Sequence, residues 1–415
     1  MSQLDELLQD FPEESRQVLR AVWDAMPVQQ RQDLLGLLPV LPGQPGKVQK
    51  LFELSRDQLA MSFGTKHDVV IVGPANVGKS TLYNQLIRSK EDEAAVSPVP
   101  GTTRENQSAS AGPFVIVDTP GADAVGEVGQ TEREEALAAA RSADFLVIMF
   151  DAVQGIKLTE QALFDELTAL GKPYIVVLNK IDLVGKEADK VIAQAANNLK
   201  LSEDVIIPLV ATKAKNVERV VLAIVKAEPS LVAALGQGLP AYRWQLAWRL
   251  ITGAASTAGL IALTPLPFLD FIPLTGVQIS LILGIARIYN YDMNLRRWRE
   301  VISALGMGFL GRTLFYEVIK LGGPPAWVIS ASVAAGTTVA LGYAAILWFE
   351  RGERLSKEAA KRVSKIVSDY LVESLKGLGR KKPGRKTLSE RIREALEKSP
   401  LAKSAEELEE EVSNN

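Results

Sequence analysis

The chain has 415 residues, 23% charged and 47% hydrophobic; the length calls for two to four units, and the balance excludes a wholly disordered chain or a conventional many-span transporter. Forty-seven Lys and Arg against 49 Asp and Glu leave a net charge of −2, so there is no global positive field for nucleic acid, which is not expected as a partner. With no cysteine and one histidine, His67, the chain excludes disulfides, thiolate zinc, iron–sulfur clusters, a cysteine nucleophile, a multi-histidine metal site and a Ser-His-Asp relay.

Residues 1–65 read as a helical N-terminal segment, with apolar residues at helical spacing at Phe11, Val18, Leu19, Val22 and Trp23, and again at Leu34, Leu35, Leu37 and Leu38. The acidic start MSQLDELLQDFPEES lacks the apolar stretch of a secretory signal. From 66 to 233 short apolar runs alternate with helical stretches: DVVIVG, PFVIVD, DFLVIMFD, PYIVVLN and DVIIPLV, with helices expected over 79–89, 132–142, 158–171, 187–200 and 214–226. Such alternation predicts a mostly parallel α/β sheet with helices on both faces, whose ligands gather at the carboxyl ends of the strands.

Residues 240–350 change character, with uncharged stretches at 250–269, 271–286 and 321–349. Crossing the hydrocarbon core takes about 20 apolar residues, so an all-α, membrane-associated domain is expected here. TPLPFLDFIP at 264–273 breaks the first run into a hairpin, and a re-entrant bend near Gly336 is expected in the last. Trp244 and Trp248 precede the first run, Trp298 lies in the connector, and Trp327 and Trp348 fall near the ends of the last run, as in an interfacial aromatic belt. A buried helical bundle in a soluble protein would have the same composition. The charged tail, 351–415, opens with twelve Lys and Arg against four Asp and Glu over 351–386, a net of +8 suited to anionic lipid headgroups or to a solvated linker. Ala359, Val363, Ile366, Tyr370 and Leu371 can line one face of a helix there, and EELEEE at 406–411 reads as a disordered acidic end.

The chemistry lies in the second segment. GPANVGKST at 73–81 follows a strand and opens a helix, as a phosphate-binding loop requires. Gly73 and Gly78 let amides close on phosphate, Lys79 reaches the β- and γ-oxygens, and Ser80 is a magnesium ligand; Asn76, Val77 and Thr81 complete the candidate set. NKID at 179–182 ends another strand at the same sheet edge. The Asp182 carboxylate accepts both the ring N–H and the exocyclic amine of guanine, which adenine does not present together; Asn179 braces the loop and Lys180 covers the base. DTPG at 118–121 supplies Asp118, holding magnesium through water, and Gly121, presenting its amide to a γ-phosphate. In PGTTR at 100–104, Thr103 rather than Thr102 is the residue expected to complete the magnesium site when GTP is present. VATKAKN at 210–216 offers the Ala211 amide to the guanine carbonyl, with Thr212 beside it. Lys79, Thr103 and Gly121 are the candidate catalytic set.

GPANVGKST, PGTTR, DTPG and NKID in this order resemble the TrmE–Era branch of translation-factor-like GTPases. The resemblance implies GTP hydrolysis with Mg2+ and a transient homodimer through the GTPase domain. It also implies a potassium ion held with the help of Asn76. The departures are a short switch connection, Val210 where serine is usual, and Ala122 where Ras-like enzymes carry a water-orienting glutamine. PLPFLDFIPLTGVQ at 265–278 and GIARIYNYD at 284–292 resemble hydrophobic domains of unknown function attached to bacterial Era-like GTPases. Together these predict a GTP-hydrolysing switch on the cytoplasmic membrane, with its GTPase domain on the cytoplasmic face, lipid contact through 240–350 and an unidentified protein effector. A dynamin-like remodelling GTPase and an Era-type ribosome-assembly factor are the alternatives.

Overall fold

The computed structural model describes residues 68–87, 113–118, 127–263, 271–291, 325–379 and 381–399, together with Arg20, Lys66 and Ala402. The expected N-terminal helices, Thr102, Thr103, Gly121, Ala122 and the acidic end at 406–411 lie outside the described residues. The chain divides into two compact units, Gly64–Arg243 and one that includes Trp244–Asn415.

The first unit is a parallel sheet of β1 (Val69–Gly73), β2 (Phe114–Asp118), β3 (Phe145–Asp151), β4 (Tyr174–Asn179) and β5 (Ile206–Pro208), in the order β2-β1-β3-β4-β5. Every residue of β1 and β3 is buried, which is why these strands read as unbroken apolar runs rather than as alternation. Between the strands run α1 (Lys79–Ile87), α2 (Glu127–Ser142), α3 (Leu158–Ala169) and α4 (Ala188–Leu199), followed by α5 (Val217–Ala227) and α6 (Val232–Gly238). On α5, Val217, Val220, Val221, Ile224 and Val225 recur at helical spacing, and all are buried. The register pairs Gly73 with Asp118 and Asp151 with Asn179, so the strand ends that carry chemistry share one edge. Strand order reverses between β1 and β3, the place where ligands of such sheets bind.

The second unit contains α7 (Arg243–Ala262), α8 (Phe271–Ile288), α9 (Ala326–Arg351), α10 (Lys357–Lys376) and α11 (Arg385–Glu397). Among the described residues α9 is the one helix long and apolar enough to cross a membrane, and 89% of its most apolar window is buried inside the protein. Its neighbours explain that. A side chain added at Gly342 would strike Ile251 of α7 and Leu281 of α8, one at Gly336 would strike Ser364 and Ser368 of α10, and Ala331 lies against Gly259 of α7. A helix packed on several sides has to be apolar nearly all round.

Three expectations are corrected here. The helix runs unbroken through Gly336, so there is no re-entrant bend; the glycine is there because α10 approaches too closely for a Cβ. Trp244 and Trp248 form no interfacial belt: they stack at 5.9 Å, Trp244 meets Tyr343 edge-on at 6.4 Å, and Trp248 is 5% exposed. The charged tail opens with a helix, α10, as expected, but the face it buries carries Ala360, Val363, Val367, Leu371 and Leu375. That face is rotated from the predicted one, leaving Tyr370 exposed, because Ser364 and Ser368 turn toward α9; Ser368 Oγ donates to Ser332 O at 3.2 Å.

Candidate nucleotide site

β1 ends at Gly73 against the Met149 backbone, where a Cβ would collide with the Met149 carbonyl. The loop then turns through Asn76, whose backbone is left-handed at φ 63°, and enters α1 at Lys79. Lys79 is 3% exposed, and its ammonium donates to the Gly73 and Pro74 carbonyls, both at 2.6 Å, so it is held inside the loop it serves. Val77 is buried, while Ser80 lies exposed in the first turn of α1, at the positive end of the helix dipole.

Across the sheet, Asn179 is 3% exposed and bridges two loops. Its Nδ2 donates to Val77 O at 2.8 Å, and its Oδ1 accepts from the Ala211 N–H at 3.0 Å. Gly78 is left-handed at φ 100°, and a Cβ there would collide with the Asn179 amide, so the phosphate loop and the NKID segment fit only with glycine between them. This geometry adds to the role assigned to Ala211. Its N–H, expected to face a guanine carbonyl, donates to Asn179 Oδ1 and so also braces its turn; Thr212, next in that turn, is exposed.

Asp182 lies in the turn after β4 and accepts from Lys213 Nζ at 3.0 Å. The hydrogen-bonded Lys213 ammonium holds the Asp182 carboxyl below the usual carboxylate range, so at neutral pH it is an acceptor, as guanine requires. Lys180 takes φ 62°, and its ammonium meets Asp151 Oδ2 at 2.6 Å and Asn76 O at 2.7 Å. Asp151 was not among the expected site residues, although it ends an apolar run as Asp118 and Asn179 do, and that shared position is the signal that marks it.

Asp118 ends β2 beside Gly73, on the opposite side of β1 from β3. Ser80 offers a hard hydroxyl oxygen of the kind magnesium takes, and Asp118 closes the strand paired with β1. Among the described residues no group of three or more His, Asp or Glu could cage a metal.

A phosphate loop between β1 and α1, an Asp closing β2, and an Asn-Lys-x-Asp closing β4 on this parallel sheet define a P-loop GTPase domain. Residues 68–180 match the family described as 50S ribosome-binding GTPase, and residues 230–376 match the Domain of unknown function DUF697. The chain is 36% identical over 125 residues to GTPase Der of Vibrio cholerae serotype O1, covering 29% of this chain and 25% of that protein. It is 38% identical over 131 residues to GTPase Der of Shewanella sediminis, covering 30% and 26%. The chain thus spans about a quarter of the length of these curated relatives. Among solved structures, Era in complex with MgGDPNP and nucleotides 1506–1542 of 16S ribosomal RNA is 30% identical, covering 46% of this chain and 67% of that one at a TM-score of 0.30. A likeness at this TM-score carries no argument about nucleic acid here, for or against.

Proposed function

We propose that the protein is a guanine-nucleotide switch that binds GTP and GDP with Mg2+ and hydrolyses GTP to GDP and phosphate. The observation that carries this reading is the junction of the two motifs: Asn179 and Lys180 hydrogen-bond directly to the phosphate loop at Val77 and Asn76, so base and phosphate recognition form one rigid edge. Lys79 supplies positive charge where negative charge builds up on the β- and γ-phosphates, and Asp182 selects the base. Magnesium, held by Ser80 and Asp118, would neutralise phosphate charge. Thr103 and Gly121 take the γ-phosphate-sensing roles, and Asn76 takes the potassium role. Equilibrium titration with fluorescent GDP, displaced by GTP or ATP, tests the reading. Equal displacement by ATP would overturn it, and a lack of potassium stimulation at matched ionic strength would remove the potassium role alone.

The switch acts at the cytoplasmic face of the membrane through its C-terminal unit. The support is the exposed Lys357, Lys361, Arg362 and Lys365 of α10. GTP-dependent homodimerisation and an effector contact complete the proposal. Carbonate washing of membranes separates an integral protein, which stays in the pellet, from a peripheral one, which is released. A ribosome-associated role is a second reading, favoured by the description of the family matched by residues 68–180. Co-sedimentation of the GTP-locked protein with ribosomes tests it.

A further inference from the structure

We propose that Asp151 is a positioning residue of the guanine site, acting through Lys180 to fix the surface on which the base rests; this builds on the guanine-binding reading above. Asp151 closes β3, is paired in register with Asn179, and is 4% exposed. A buried carboxylate has to be compensated, and both oxygens of this one are. Oδ1 accepts the amides of Val153 at 2.8 Å and Gln154 at 3.4 Å, a turn that fixes the carboxylate and aims Oδ2 at the Lys180 ammonium, 2.6 Å away. The same ammonium donates to the Asn76 carbonyl at 2.7 Å. Held at its tip from two sides, the Lys180 side chain is strung between the end of β3 and the phosphate loop.

The backbone bears this out. Lys180 sits at φ 62°, ψ 30°, a region that a side-chain-bearing residue occupies at a cost and keeps only where its surroundings hold it. Asp151 also stands apart from the metal oxygens, because β1 separates β3 from β2 and its Asp118. Its charge therefore serves the base end of the site. Removing it should free the Lys180 stem and loosen Asn76 together, so that GDP leaves faster.

The test uses the full-length protein with magnesium and a fluorescent GDP. Dissociation rates are measured for the wild type, Asp151→Asn, Lys180→Gln and the double variant, with the thermal midpoint of each recorded. Asp151→Asn and Lys180→Gln are each expected to speed release by about tenfold, as for a lost charge-assisted hydrogen bond. The double variant should be no faster than Lys180→Gln alone, a non-additivity that general loosening of the fold would not produce. Asp151→Ser, whose hydroxyl keeps the turn acceptor without the charge, replaces Asp151→Asn in the cycle if the latter does not fold. Wild-type-like release from the Asp151 variants, or additive effects in the double variant, would overturn the inference while leaving guanine binding intact. No GDP binding by the wild type would remove both.

Discussion

Asp182 has the most consequential electrical setting among the individual residues of the nucleotide site. Asp182→Asn exchanges one acceptor for a donor, and GTP affinity should fall by about tenfold or more while xanthosine triphosphate, with an oxo group in place of the amine, gains. Competition titration of the two nucleotides checks this. The pH behaviour follows from the Lys213 contact, which lowers the carboxyl from its ordinary value of 3.8. A group whose folded-state value is depressed contributes above its unfolded value and loses that contribution as pH falls through the folded one. Asp182 should therefore add no pH dependence to GDP affinity between about pH 7 and 5, its acid limb lying below that window. Lys213→Met should move the limb upward, measurable as earlier loss of GDP binding on acidification.

Among the elements, α9 and α10 are matched by what they lack as much as by what they present. Gly336 lets the helices close until Ser368 reaches the Ser332 carbonyl, with Ser364 alongside. Gly336→Leu would force a side chain into that contact, and overpacking of this kind costs about 1–3 kcal/mol. Thermal unfolding should show the loss, with GDP affinity unchanged because Gly336 belongs to the other unit. The start of α10 is set by Ser356, whose hydroxyl accepts the Ala359 N–H at 3.1 Å. Ser356→Ala should cost about 1 kcal/mol. A chemical-denaturation midpoint would register the change.

For the molecule as a whole, the exposed charge of α10 bears on the proposed membrane role. If Lys357, Lys361, Arg362 and Lys365 meet anionic headgroups, each is worth about 1 kcal/mol near the surface, and the attraction decays within a Debye length. Flotation with phosphatidylserine vesicles should then fall steeply between low and high salt, and should fail with neutral vesicles. Exchanging these four residues for glutamine should abolish the salt dependence without altering GDP affinity, since they lie outside the nucleotide unit.

Much of the nucleotide unit was legible in the chain alone, for a physical reason: its information is local. A buried parallel strand needs only a short apolar run, and GPANVGKST and NKID hold their chemistry within nine and four consecutive residues, so β1, β4 and their loops could be read without a partner. Asp151 carries one local mark, its place at the end of an apolar run, but its partner was not legible, because Lys180 reaches it only where β3 and β4 lie side by side. The bracing contact of Ala211 was not legible for the same reason, its amide donating to Asn179, 32 residues earlier. In the C-terminal unit, composition gave the helices and their apolarity but not what covers them. Hydropathy measures the cost of meeting water, and a lipid-facing helix and one walled in by other helices satisfy it equally. Only the packing of α7, α8 and α10 around α9 shows that protein buries most of that surface.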